Sequence, residues 1–315
     1  MGRHSIAVIG VGKITRDQHL PSIAASAAFE LVAVVSGSGA QVAGVPSFAR
    51  PAELYAAMPN LDSVALNMPP HVRHGFAREA LLAGKHVLIE KPPTASIAEL
   101  DDLVRLAAER KRVLFATWHS RFNQAVARAR EILERDGVKA ARIDWREDVR
   151  KWHPSQDWVW APGGFGVFDP GINALSILTE IMPGEVFVTG AKLVFPANRQ
   201  TPIAADLDLR LIGGDTKIGA GFDWRETSGE IWTIEVTTGR GATLKLERGG
   251  ARLLVDAKVT IDTPPREYQD IYARFAELLA AGRSEVDPRP LWLVADAFLM
   301  GERVVTGPFE WQGDV

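Results

Sequence analysis

Glu147, Asp148, His153, Asp157, Asp169 and Asn173 fall within one stretch, EDVRKWHPSQDWVWAPGGFGVFDPGINALS, together with Trp152, Trp158 and Trp160; Trp145 lies just upstream. Carboxylates, an imidazole, a carboxamide and indoles are the parts of a carbohydrate site. A pyranose offers its hydroxyls to fixed hydrogen-bond partners and its C–H face to a flat apolar wall. The competing reading is a Trp-rich core corner with a few solvated charges. Within the stretch, Phe168, Ile172, Leu175 and Leu178 recur at helical spacing, with Pro170 just inside the start, so a helix is predicted from about Phe168. Asp169 then has two readings. It is either an N-cap or a site residue sharing a helix face with Asn173, one turn on.

The preceding chain supplies a different chemistry. Ile6–Ile9 is a β-branched run, followed by G-V-G-K-I-T and an amphipathic segment from about Asp17 to Ala27. Strand, glycine-rich turn and helix make a phosphate cradle: Gly10 permits the tight turn, Gly12 lets a pyrophosphate approach the backbone, and the helix N-terminus offers free N–H groups. Thr15 stands where a third glycine is usual, a position that serves packing more than phosphate contact. The next strand, Leu31–Val35, ends in Ser36-Gly37-Ser38-Gly39. An NAD-specific site would place a carboxylate there for the ribose hydroxyls. Ser36 and Ser38 would instead tolerate a 2′-phosphate, so use of both NAD and NADP is expected.

Strand–helix alternation continues through Val113–Trp118, which predicts a doubly wound parallel sheet. Ligands bind at the carboxyl ends of such strands, where Asn67, Lys91 and His119 fall. Lys13, Ile14, Pro69, Glu90 and Lys91 are further candidates on the cofactor side. From Ala140 the pattern becomes alternating runs such as VFVTGAKLVF, LDLRLIGG and WTIEVTT, which read as a large, mostly antiparallel open sheet in an α+β domain. Helices are expected at Glu267–Ala281 and Leu291–Val305. The division is therefore 1–120, a dinucleotide-binding α/β domain, and 121–315, a substrate domain whose last helix could pack back on the first.

At 315 residues, one core is too small a unit and two domains are expected. A formal net charge of -3 with no basic run argues against nucleic acid or an anionic membrane. No cysteine is present, which excludes disulfides, thiolate metal sites and a Cys nucleophile; no metal is expected. The opening residues enter a strand directly, so the cytoplasm is the expected location. One sheet face of the second domain has no evident helical cover, which suggests a homodimer.

G-V-G-K-I, the strand-end G-K-H-V-L-I-E-K-P-P and a D-x-G-x-[HN] helix start resemble the Gfo/Idh/MocA oxidoreductases over nearly the whole chain. T-W-H-S-R, E-D-V-R-K-W-H-P, G-V-F-D-P-G-I-N-A-L-S and V-D-P-R-P-L-W-L-V-A-D-A-F resemble the bacterial L-arabinose and D-galactose 1-dehydrogenase branch. That resemblance implies NAD(P)-dependent oxidation of an aldose (L-arabinose, D-galactose or D-fucose) at C1 to its lactone. It places Lys91 between cofactor and substrate, Asp169 in the acidic position, and Asn173 where many members carry a catalytic His. Glu147, His153 and His119 match sugar-binding positions. Arg73 lies where many members place a nucleotide-site His, and no contact is assigned to it. The Lys91–Pro92 bond is expected to be cis.

A hemiacetal hydroxyl is acidic enough for a modest base. Asp169 fits if burial raises its pKa, and Lys91 fits if desolvation lowers its own; the sequence leaves both open. Asn173 cannot be a base and would orient the hydroxyl. Two rivals stand: a polyol or inositol dehydrogenase, which would more usually carry the missing His, and a catalytically silent dinucleotide-binding sugar sensor.

Overall fold

The first apolar run forms β1 (His4–Ile9), in which Ile6, Ala7 and Val8 are wholly buried. A strand buried on both faces needs helices on either side. A computed structural model, describing residues 2–310, shows how they are supplied. After β1 the chain takes a π-helical turn (Thr15–His19) into α1 (Leu20–Ala25), then β2 (Phe29–Val35), β3 (Ser47–Phe48) and α2 (Pro51–Ala57). Next come β4 (Ser63–Leu66), α3 (Pro70–Leu82), β5 (His86–Ile89), α4 (Ile97–Arg110) and β6 (Leu114–Ala116). The expected single helix over 17–27 is thus a π-turn followed by a shorter α-helix.

The six strands are parallel in the order β3-β2-β1-β4-β5-β6. Strand order reverses between β1 and β4, and a doubly wound sheet opens its ligand crevice at that point. The core is aliphatic: Ile9, Val35, Leu54, Leu66, Leu81, Ile89 and Leu103 are all at most 2% exposed. Sequence marks the helix ends well. Ser96 and Glu99 form a reciprocal capping box on α4, and Lys111 closes it in the left-handed conformation.

The second unit begins with α5 (Gln124–Asp136), β7 (Val138–Arg146), α6 (Val149–Trp152) and α7 (Phe168–Ile181). It continues through β8 (Val186–Pro196), β9 (Ala204–Leu211), β10 (Lys217–Asp223), β11 (Ile231–Thr238), β12 (Thr243–Glu247), β13 (Arg252–Val255) and β14 (Lys258–Asp262). After α8 (Glu267–Ala281) come α9 (Arg289–Met300) and β15 (Glu302–Thr306). The sheet order is β14-β13-β12-β11-β7-β10-β9-β8-β15, antiparallel except for the β7–β10 and β8–β15 pairs. Helices α5, α7 and α9 lie on one face. Ile143, Ala220, Leu207 and Ile234 point to that side and are buried, while Arg142, Asp144, Asp206, Asp208 and Glu235 alternate with them along the strands.

Two boundary expectations need correction. Helix α9 stops at Met300, and the β-branched run after Gly301 forms β15, pairing in parallel with β8. The first unit consists of the residues through His119 together with Arg266–Pro288; the second is Ser120–Pro265 and Arg289 onward. Helix α8, and not the last helix, therefore joins the dinucleotide-binding unit, where Phe275 stacks on Phe29 and lies 6.1 Å from Phe115, centroid to centroid.

His86, on β5, accepts a hydrogen bond at Nδ1 from the Val113 backbone N–H (2.8 Å). Burial and then the Arg112 charge push its pKa down from 6.5 to about 4. Between these values the unfolded chain binds a proton that the folded chain does not. Stability contributed here is therefore complete above pH 6.5 and is lost as pH falls toward about 4. The urea midpoint should fall across this window. It should fall less steeply in His86→Asn, whose Oδ1 accepts the same bond without titrating.

Candidate active site

The β1 turn is built by close approach. Gly10 has φ +94°, and a Cβ there would lie 2.9 Å from the Met68 backbone nitrogen. A Cβ on Gly12 would meet nothing within 4 Å, so the space needed by a pyrophosphate stands open beside it. Thr15 does more than replace a glycine. Its hydroxyl donates to the Gly10 carbonyl (2.6 Å) and accepts from Asn67 Nδ2 (2.9 Å), tying the turn to the end of β4. Asn67 Oδ1 is buried and has no hydrogen-bond partner among the described residues. The turn, the open space and this acceptor at the strand-order reversal fit a dinucleotide. Lys13 forms an exposed ion pair with Asp17, Ile14 is 37% exposed, and Pro69 precedes α3.

At the end of β2, Ser36 Oγ lies 3.0 Å from Ser38 Oγ and accepts from the Ala40 N–H (3.2 Å). These hydroxyls close their own loop. Ser36 itself is buried.

The Lys91–Pro92 bond is cis. Glu90, expected on the cofactor side, is 2% exposed. Oε2 accepts from the Lys91 backbone N–H (2.9 Å), and Oε1 lies 3.1 Å from His19 Nε2. His19 Nδ1 is 2.8 Å from the Tyr272 hydroxyl on α8. Burial alone would push the Glu90 carboxyl up, but the His19 hydrogen bond and the charges of His19, His119 and Arg73 hold it well below the usual carboxylate range. Arg73 is also buried. It donates to the carbonyls of Met68 (2.5 Å), Glu90 (2.7 Å) and Pro92, and so clamps the turn that presents Lys91. His119 Nδ1 pairs with Glu267 Oε2 at 2.7 Å. Burial disfavours the imidazolium, but the Glu267 carboxylate outweighs it and raises the His119 pKa. His19, Glu267, Tyr268 and Tyr272 had no signal in the sequence, since nothing local marks α8 as part of this unit.

In the second unit, the capping reading of Asp169 is excluded: Val167 is the N-cap of α7 and no side chain caps it. Asp169 sits in the first turn, 4% exposed, with Oδ2 3.5 Å from His153 Nε2. Its position depends on Gly166, whose carbonyl accepts the Asp169 N–H (2.8 Å). Gly166 has φ +56°, and a Cβ there would lie 2.4 Å from the Pro202 carbonyl. Asn173 follows on the same helix face, with Oδ1 buried and without a hydrogen-bond partner among the described residues. His153 lies against Trp224 (centroids 5.2 Å apart) and meets Trp158 edge-on (6.5 Å).

Glu147 is 4% exposed, and both its oxygens accept indole N–H groups: Oε1 from Trp224 (3.3 Å), Oε2 from Trp232 (2.9 Å). It anchors the aromatic wall, a task the sequence reading did not give it. Trp224 and Trp232 lie outside the 147–176 stretch and were not singled out. The structure thus gathers His153, Asp169 and Asn173 around one helix start, with Glu147 behind them through Trp224. The described residues contain no group of three or more His, Asp or Glu that could hold a metal ion. No described helix is long and apolar enough to cross a membrane.

Residues 4–117 match the model of the oxidoreductase family with an NAD-binding Rossmann fold, Gfo/Idh/MocA. A galactose 1-dehydrogenase of Pseudomonas fluorescens is 41% identical over 307 residues, covering 96% of this chain and 98% of that protein. The crystal structure of a D-galactose 1-dehydrogenase from Rhizobium etli superposes with a TM-score of 0.94 at 49% identity, covering 98% of this chain and 99% of that one. A 3-ketoreductase from Actinomadura kijaniata, solved with NADP, shares the fold at a TM-score of 0.83 and 17% identity. With a full-length relative at this identity, the dinucleotide turn and the matched Rossmann unit have one reading: the chain belongs to the Gfo/Idh/MocA family of NAD-binding oxidoreductases.

Proposed function

We propose that the protein oxidises an aldopyranose of the galacto configuration at C1, giving the lactone and a reduced nicotinamide dinucleotide. The observation that carries this reading is the buried Asp169 beside His153, one helical turn from the open carboxamide oxygen of Asn173 and backed by indoles. The likeness to galactose 1-dehydrogenases over nearly the full chain supports the same chemistry.

The dinucleotide, when bound, takes up the hydride from sugar C1. The residues of this chain handle the proton and the developing charge. Asp169 accepts the proton of the C1 hydroxyl, and His153 at its Oδ2 steadies the carboxylate and reaches a ring hydroxyl. Asn173 orients the reacting hydroxyl. Lys91, fixed at its backbone by Glu90 and Arg73, supplies positive charge for the oxygen that becomes a carbonyl. Lys91 is the other candidate base. His119, oriented by Glu267, is a sugar contact. Gly10, Gly12, Asn67, Ser36 and Ser38 hold the dinucleotide, and the lack of a carboxylate after β2 supports use of both NAD and NADP. The helix-free face of the nine-stranded sheet supports a homodimer, and the ordinary composition supports a cytoplasmic enzyme.

Asp169→Ala and Lys91→Ala should each lower kcat by about 10²–10⁴-fold, the usual worth of a positioned acid–base group, while dinucleotide affinity measured by fluorescence is kept. Near-normal kcat in Asp169→Ala would make Lys91 the base; near-normal kcat in both would remove the site.

A site that pairs the 2-, 3- and 4-hydroxyls should accept D-galactose, L-arabinose and D-fucose alike. D-Glucose, inverted at C4, leaves a buried polar group unpaired, at a cost of about 1–3 kcal/mol. An aldose panel scored by kcat/KM checks this, and equal values for D-glucose and D-galactose would contradict it.

Activity is expected with both dinucleotides. Ser36→Asp should shift the kcat/KM ratio toward NAD, because a carboxylate binds the ribose hydroxyls and repels a 2′-phosphate. An unchanged ratio places the ribose elsewhere.

A further inference from the structure

The segment Gly307–Glu310, which follows β15, carries no motif, yet it is tied by several hydrogen bonds to the rest of the second unit. The Phe309 N–H donates to Asn198 Oδ1 (2.9 Å), and the Phe309 carbonyl accepts from Asn198 Nδ2 (3.3 Å) and Arg199 Nη2 (3.1 Å). The Arg150 guanidinium lies over the Phe309 ring, 4.5 Å from its centroid, and Arg150 Nη2 also reaches the Glu310 carbonyl (3.4 Å). An irregular segment with no neighbours on its own strand needs a reason to be held this way.

The ring shows what it is held against. Phe309 packs on Trp160 (5.7 Å between centroids), and Arg199 covers the same indole (5.5 Å). Trp160 meets Trp224 edge to face at 5.2 Å, and Trp224 is the wall on which His153 rests. The 197–203 loop that grips Phe309 is fixed independently. Gln200 donates to the Trp160 carbonyl (3.2 Å), Thr201 Oγ1 to the Val159 carbonyl (2.9 Å), and the Pro202 carbonyl accepts the Val167 N–H (2.8 Å). The loop thus survives loss of the ring, whereas Trp160 loses one side of its seat.

We propose that Phe309 is a positioning residue for sugar binding: through Trp160 and Trp224 it fixes the face against which His153 presents its imidazole. Phe309 acts here through the Trp160 and Trp224 indoles. The inference rests on the assignment of His153 to the sugar site.

Aromatic pairs of this kind are worth enough for a KM change of about 2- to 10-fold. Phe309→Ala should raise the KM for D-galactose by that factor, hold kcat within about twofold and leave NAD affinity unchanged. Its tryptophan emission should shift, and Phe309→Tyr should restore both KM and spectrum. Adding Phe309→Ala to His153→Ala should raise KM less than it does alone, because the two act on one contact. Asn198→Ala, which frees the Phe309 backbone and keeps the ring, should raise KM in the same direction and serves if Phe309→Ala does not fold. A folded Phe309→Ala, or Asn198→Ala in its place, with wild-type KM while His153→Ala raises it, overturns the proposal and leaves the site standing. Wild-type KM in all three removes the sugar-site assignment and this inference with it.

Discussion

A carboxylate removed from water must be met by donors, and both working parts of this protein are built around that requirement. In the first unit the buried group is Glu90, bonded to the Lys91 N–H and to His19. In the second it is Glu147, bonded to two indoles. Neither needs to touch a substrate to matter. Each braces a neighbouring element: the turn bearing Lys91 in one case, the Trp224 ring against His153 in the other. Removing one partner of such a group leaves a charge buried without compensation, which is costlier than losing an exposed contact.

The same economy shapes the dinucleotide turn. A third glycine would allow close helix–strand packing and nothing else. Thr15 gives up that freedom and gains two hydrogen bonds, one to the turn and one to Asn67 at the next strand end. The turn is held open by side chains on both sides of the strand-order reversal, while Gly12 keeps its approach clear. Ser36 and Ser38 work similarly, since they brace each other and the backbone of their loop.

The second unit shows how a loop region gains rigidity without regular structure. Asp169 stands on a helix, but the helix start depends on Gly166, and Gly166 depends on its close approach to Thr201 and Pro202. The loop carrying those residues also holds Phe309. Polar hydrogen bonds set the backbone, and stacked indoles set the face. A preorganised surface of this type loses little conformational entropy when a ligand is bound.

Sequence by itself determined the elements whose signals are local. The glycine turn, the strand–helix alternation, the α7 start and the α8 limits are periodic or steric properties of neighbouring residues, and they were legible. The close placing of His153 and Asp169, and of Asp169 and Asn173 one turn apart on α7, was expected from their spacing in the chain. The tertiary structure alone decided what these residues lean on. Glu267 lies far along the chain from His119, and Tyr272 farther still from His19, yet each is a direct partner. Only folding α8 onto the first unit brings them together. Residues 302–305 were expected at the end of the last helix, and pairing with β8 makes them part of a strand. The resemblance placed Glu147 among the sugar-binding positions; that its oxygens accept the indole N–H groups of Trp224 and Trp232 only the fold could show. Local pattern fixes backbone conformation; which donor meets a buried acceptor depends on contacts between distant segments, and no period in the sequence records them.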